Sequence, residues 1–235
     1  MKTAALCILI VLVAGASFGE GAGEASSSEG QRFAMRDFTS VDTGWGIDVN
    51  IEQSDTWHVA LFADPDIADR IVVEKVGSTL QIGVDGFPFL RPHGRARVEV
   101  SMPSLERVKA SGGARVLVHM DTRDGDVRAS LGGGSGLTGT LRCRDLSIEG
   151  SGGSSARLEG SGDMLTLRGS GGTVFTLRDF SVREADIRLS GGSTARVSAD
   201  ERISLRAGGG SHVLYRGDPS IDSEHLSGGS WIRNE

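Results

Sequence analysis

Leu146-Ser147-Ile148-Glu149-Gly150-Ser151-Gly152-Gly153-Ser154-Ser155-Ala156-Arg157-Leu158 alternates apolar and polar residues on both sides of a glycine pair. Period-two alternation marks a strand with one buried face, and adjacent glycines supply a sharp bend. The unit is two short strands joined at a glycine corner, and it recurs. Gly112-Gly113, Gly133-Gly134, Gly152-Gly153, Gly171-Gly172, Gly191-Gly192, Gly209-Gly210 and Gly228-Gly229 follow one another at intervals of 21, 19, 19, 20, 18 and 19 residues. Three residues beyond each pair stand Val116, Leu137, Ala156, Phe175, Ala195, Val213 and Ile232, all apolar. Four and six residues before the pair, the middle coils place Ile148 and Leu146, Leu167 and Leu165, Ile187 and Ala185, Leu205 and Ile203. Repeats of this length and period predict an all-β parallel solenoid, with equivalent residues of neighbouring coils about 4.8 Å apart. A variable loop of about six residues should close each coil. The glycines are expected at positive φ, with no room for a Cβ between stacked corners. Ser and Thr flank most pairs, so two hydroxyl ladders should run beside the corners.

Composition agrees. The chain has 35 glycines in 235 residues, about twice the usual share, which excludes a helical fold. With 8 Phe, 3 Trp and 1 Tyr the core must be mostly aliphatic. Net charge is −6, and apart from Lys2 the lysines are Lys75 and Lys109 alone, the remaining basic residues being arginines interspersed with acids. That excludes a concentrated positive field for nucleic acid.

Outward from the repeats, Met1 to Ala16 reads as a secretory signal peptide: a basic start, an apolar run over Thr3–Val13 and the small-x-small site Ala14-Gly15-Ala16. The run is too short to span a bilayer. Residues 17–31, rich in Gly, Ser and Glu, read as a flexible tether. Residues 32–107 lack glycine pairs but alternate like strands and form the expected β-rich cap of the same domain, before the repeats of 108–235. Ala63-Asp64-Pro65-Asp66-Ile67-Ala68-Asp69 reads as a turn or one helical turn. With the leader removed, Cys143 is the only cysteine, so no intramolecular disulfide forms and Cys143 reads as a small buried hydrophobe.

Arg32-Phe33 to Val41, Gly46-Ile47-Asp48-Val49-Asn50-Ile51-Glu52-Gln53, the Ala63-Asp64 step, Leu80-Gln81-Ile82 and Met102-Pro103-Ser104-Leu105 leading into the Ser-Gly-Gly coils resemble the putative auto-transporter adhesin, head GIN domain family. The resemblance runs from Arg32 to the C-terminus. It implies a right-handed parallel β-helix of exported bacterial proteins, adhesin-like in name, and supplies no catalytic or binding residues.

Sites with a recognisable chemistry are absent from the sequence. No aspartate follows the glycine pairs at the spacing of calcium-binding β-rolls, and no pair continues into a phosphate loop. His58, His93, His119, His212 and His225 lack metal-ligand spacing. No metal, cofactor or catalytic residue is expected. Trp45, Trp57 and Trp231 suit a cap core or coil end better than sugar stacking. One column stands out, three residues before each first glycine: Lys109, Ser130, Glu149, Arg168, Arg188, Arg206 and His225. Its consecutive arginines, Arg168, Arg188 and Arg206, should line one exposed face and are the candidate site for an anionic partner such as an acidic polysaccharide. The reading is of an exported interaction module, periplasmic, envelope-associated or secreted, with a polysaccharide or another envelope protein as partner. A polysaccharide-active β-helix lyase or hydrolase is the alternative.

Overall fold

The computed structural model describes residues 30–86 and 94–235. The segment read as a signal peptide, all but the end of the segment read as a tether, and His93 lie outside them. Strands dominate, and they fall into two ladders that face each other across one core. Arg107–Ala110, Val127–Leu131, Asp145–Gly150, Met164–Gly169, the second half of Val174–Leu189, the second half of Thr194–Ala207, and Ser220–Leu226 approach the glycine corners and pair in parallel, each with its counterpart one coil away. Arg115–Thr122, Gly136–Cys143, Ser155–Ser161, the first halves of the same two long strands, His212–Arg216 and Trp231–Asn234 leave the corners and build the second ladder. The alternation decides the inward face: Ile148, Leu158, Leu167, Phe175, Ile187, Val197, Leu205 and Val213 are buried. Cys143 joins this core, and burial, with Asp145 and Asp126 nearby, pushes its thiol up to about 12.

Every glycine pair has positive φ at both residues. Both glycines of each pair thus sit in the conformation of a type I′ turn, and at the corners ending in Ala114, Ser135, Ser154 and Ser230 the N–H of the residue after the pair donates to the carbonyl of the residue before it, as in Ser135 to Gly132 (3.2 Å) and Ser154 to Ser151 (3.3 Å). Crowding holds for only half of each pair. A Cβ on Gly191 would lie 2.9 Å from the amide nitrogen of Gly171, and one on Gly152 would lie 3.3 Å from that of Gly133. A Cβ on Gly153, Gly172 or Gly192 would meet open space. The first position points along the stack and the second points away from it, so the second is glycine for its φ alone. The two hydroxyl ladders also differ. Ser135, Ser154, Thr173, Ser193 and Ser211 are buried; Ser135 and Ser154 donate their hydroxyls to the Ala110 and Leu131 carbonyls of the preceding coil, and Thr173, Ser193 and Ser211 donate to the carbonyl just before their own glycine pair, whereas Ser151, Ser170 and Ser190 are exposed.

The side opposite the glycines is not uniformly a loop. Val174–Leu189 and Thr194–Ala207 run through it as continuous strands because Phe180, Val182 and Ala199 extend the apolar series into the core. Within the segment read as a cap, Ser40–Thr43 with Asp48–Gln53, and Thr79–Val84 with Ala96–Met102, form two further parallel coils. The earlier of these is stacked between the later one and Arg107–Thr122, so spatial order departs from chain order. Capping falls to three antiparallel strands, Gln31–Phe33, His58–Ala63 and Ile71–Val76, which lie against the outer coil or on each other. Gln31 thus already belongs to a strand. The expected turn is the short helix Pro65–Ala68, preceded by Asp64, whose carboxylate accepts the Arg95 N–H at 2.8 Å.

The coil Ser40–Gln53 has a corner of its own, Gly44-Trp45-Gly46. Trp45 and Gly46 have φ of 60° and 75°, and a Cβ on Gly112 would lie 3.2 Å from the Trp45 nitrogen, the relation each later corner has to its predecessor. Trp45 therefore occupies the column held elsewhere by the first glycine.

Candidate functional site: a furrow along the glycine corners

Side chains three positions before each corner point outward because their neighbours at two and four positions point inward. The residue one position before the corner is Ser or Gly in every glycine-pair coil. Small side chains beside long ones leave a furrow along the stack. One concavity of about 610 Å³ runs from Lys109 and Ser111 to Arg188 and Ser190. It continues, through shared residues, into one of about 330 Å³ at Arg206 and His225 and one of about 360 Å³ below Trp45.

The register is direct. Glu149 pairs with Arg168, Arg168 with Arg188, Arg188 with Arg206, and Arg206 with His225. In the other direction the row passes through Ser130 and Lys109 to Asp42 and Gln81. Arg168, Arg188 and Arg206 are all exposed. Acids offset two of them: Arg168 lies 3.3 Å from Glu149 and Arg188 lies 3.0 Å from Asp186. Lys109 is bound to Asp42 at 2.9 Å. Arg206 has no ion-pair partner among the described residues, and the next side chain in its row is His225. The positive field of the furrow is thus concentrated at its Arg206 end.

A second concavity, about 510 Å³, opens on the other ladder where the sequence showed no cluster. It gathers His119, Asp121, Arg142, Glu159 and Asp179 from successive coils. Gln53 fixes Asp121 by pairing with its backbone in both directions, at 3.0 and 2.7 Å. Hydrogen bonding to Arg123 holds the Asp121 carboxyl below its ordinary value against the opposing effect of burial, with Arg142 adding to the lowering. Asp121 is therefore an ionised partner of arginines, unsuited to donating a proton. His119 Nδ1 is engaged with Thr140 Oγ1 at 2.8 Å. These residues meet only because the coil interval brings them together, and their spacing resembles no motif.

The tryptophans separate. Trp57 packs half-buried on the core and donates its indole N–H to the Phe38 carbonyl at 3.0 Å. Trp231 stacks on His212 at 4.5 Å in the last coil, with Arg233 over its ring. Trp45 alone is largely free, 57% exposed. His58, His119 and His225 are exposed. Among the described residues no group of acids, histidines and cysteines could hold a metal, and no helix is long and apolar enough to cross a membrane.

A comparison with curated proteins finds none that matches. Among solved structures, a putative adhesin from Bacteroides fragilis NCTC 9343 superposes with a TM-score of 0.76 at 20% identity, covering 87% of this chain and 95% of that one. A putative lipid binding protein from Parabacteroides distasonis ATCC 8503 gives 0.67 at 16%, covering 88% and 96%. A putative adhesin from Parabacteroides merdae ATCC 43184 gives 0.64 at 18%, covering 87% and 94%. These likenesses establish the shared fold. Residues 37–219, most of the solenoid and its cap, match the family described as putative auto-transporter adhesin, head GIN domain, and the chain belongs to that family.

Proposed function

We propose that the protein is an exported, surface or periplasmic interaction module without catalytic chemistry, and that its furrow takes an anionic glycan at Arg168, Arg188 and Arg206. The observation that carries the reading is the direct register of these exposed arginines on one concave face, with Arg206 free of an ion pair among the described residues. Carboxylates or sulfates repeated along a polymer can meet such a row through bidentate, charge-assisted hydrogen bonds. The signal-like N-terminus and the adhesin-like family name support export. Net charge of −6 gives no long-range attraction, so binding is weak and fades with salt.

The test is binding to an array of acidic polysaccharides at low and moderate salt. The wild type should bind and the triple Arg→Gln variant should not, with Arg206→Gln accounting for most of the loss because its charge is not already engaged. Equal signals from wild type and triple variant, or none from either, would sink the proposal. The second concavity keeps a polysaccharide-active enzyme in view, since it places His119, Asp121, Glu159 and Asp179 together. Turnover of a glycan by the wild type that disappears in Glu159→Gln, whose carboxylate has no ion-pair partner among the described residues, would favour that reading.

A further inference from the structure

Trp45 is the exception in a column of glycines. The later corners show that the bend needs no side chain there, and the Trp45 indole is not used by the core: it is more than half exposed at the rim of the 360 Å³ concavity. Gly44 and Gly83 contribute only backbone to its lining, and Val72, beside Gly83 in the register, adds an exposed apolar side chain. Glu74, Gln81 and Asp42, which share one row by register, line the same concavity. Asp42 is engaged by Lys109, while Glu74 has no ion-pair partner among the described residues. A further carboxylate, Asp85, belongs to the same lining.

An aromatic face, glycine backbone beside the apolar Val72, and three carboxylates with one amide describe a ligand with specific properties. It is flat enough to lie on an indole, it donates hydrogen bonds, and it carries positive charge, because carboxylates only accept and tryptophan is the strongest cation-binding ring. Asp42 is four coil steps, about 19 Å, from Arg168, so the place is separate from the arginine row and selects the opposite charge. We propose that the Trp45 corner binds a pyranose ring bearing a free ammonium group, an unacetylated amino sugar. The ring lies on the indole and the ammonium faces Glu74.

The experiment titrates the full protein, by calorimetry and tryptophan fluorescence, with a glucosamine trimer and with its N-acetylated counterpart, which keeps the rings and loses the charge. The glucosamine trimer should bind at least about tenfold more tightly than the acetylated one. Trp45→Gly installs the residue of the other corners, so the fold is retained, and it should lower affinity for the glucosamine trimer at least about tenfold. Glu74→Gln should lower it about three- to tenfold. The triple Arg→Gln variant should bind it like the wild type, so failure here and failure of the anionic-glycan reading are read separately. No binding by the wild type, equal affinity for the acetylated trimer, or unchanged affinity in Trp45→Gly would overturn the proposal.

Discussion

Glycine is used here for three distinct reasons, and they differ in what substitution should cost. Gly172 has φ of 82° with open space around it, so Gly172→Ala carries only left-handed strain, about 1–2 kcal/mol. Gly191 has that strain and a neighbour at 2.9 Å, so Gly191→Ala should cost more. At Gly160, φ is 131° and a Cβ would lie 1.9 Å from the Leu141 carbonyl oxygen, which a ladder strand cannot yield. Chemical denaturation of the three alanine variants should rank Gly160 as most damaging and Gly172 as least; equal losses would contradict the assignment. Cys143 makes a second prediction at this scale. Its thiol is pushed up to about 12 in the fold against 9.0 ordinarily, so the unfolded chain ionises first as pH rises. Stability from this group is intact below about pH 9 and falls between 9 and 12, at a slope of up to about 1.4 kcal/mol per pH unit, and Cys143→Ala should remove that part of the alkaline loss. At pH 8 a thiol reagent should react with denatured protein and scarcely with native.

A coil holds its corner with a hydroxyl on the inside and tolerates one on the outside. Ser193 is buried and its Oγ donates to the Ser190 carbonyl at 2.8 Å, so Ser193→Ala strands a carbonyl at the bend and should cost about 1 kcal/mol. Ser190 is exposed, and Ser190→Ala should fall within about 0.5 kcal/mol of wild type. Melting curves of both variants check the asymmetry, and a larger loss at Ser190 would reverse it. Charged side chains on the coil surfaces are arranged to relieve stacking of like charge: Arg183 lies 3.0 Å from Glu201 of the next coil, and Arg202 pairs with Glu184 and Asp222 on either side. Such exposed pairs contribute little individually, but they avoid the repulsion an unbroken column would bring. Arg206 lacks this relief among the described residues, which is why it bears most of the proposed anion binding.

Across the whole molecule the coils contact chiefly their immediate neighbours, so cooperativity is close to one-dimensional and openings begin at the ends. The two ends differ. Antiparallel strands lie over the first coils, whereas Ser220–Leu226 is mostly exposed along its length, with Ile221 and Leu226 among the exposed apolar residues. Hydrogen exchange should therefore be slowest in Asp145–Gly150 and Met164–Gly169, intermediate in Thr79–Val84, and fastest in Trp231–Asn234. Uniform protection from end to end would show a single cooperative unit instead.

The solenoid, its period, the inward residues and the direct register of Arg168, Arg188 and Arg206 were legible in the chain because each coil repeats one local pattern, and stacking turns a sequence interval into a spatial row. The same reasoning placed Cys143 in the core. Other features needed the tertiary structure. Gly44-Trp45-Gly46 lacks the glycine pair, so only its pairing with the first Ser-Gly-Gly coil identifies it as a corner. The insertion of Ser40–Gln53 between two later coils is a non-local choice, since parallel strands of similar alternation could stack in several orders. The pairing of Arg168 with Glu149, the lack of an ion pair at Arg206 among the described residues, and the meeting of His119 with Asp121, Glu159 and Asp179 depend on side chains from different coils. Local alternation determines which face of a strand is buried, whereas which coil lies beside which is decided by the packing and backbone pairing of the whole stack.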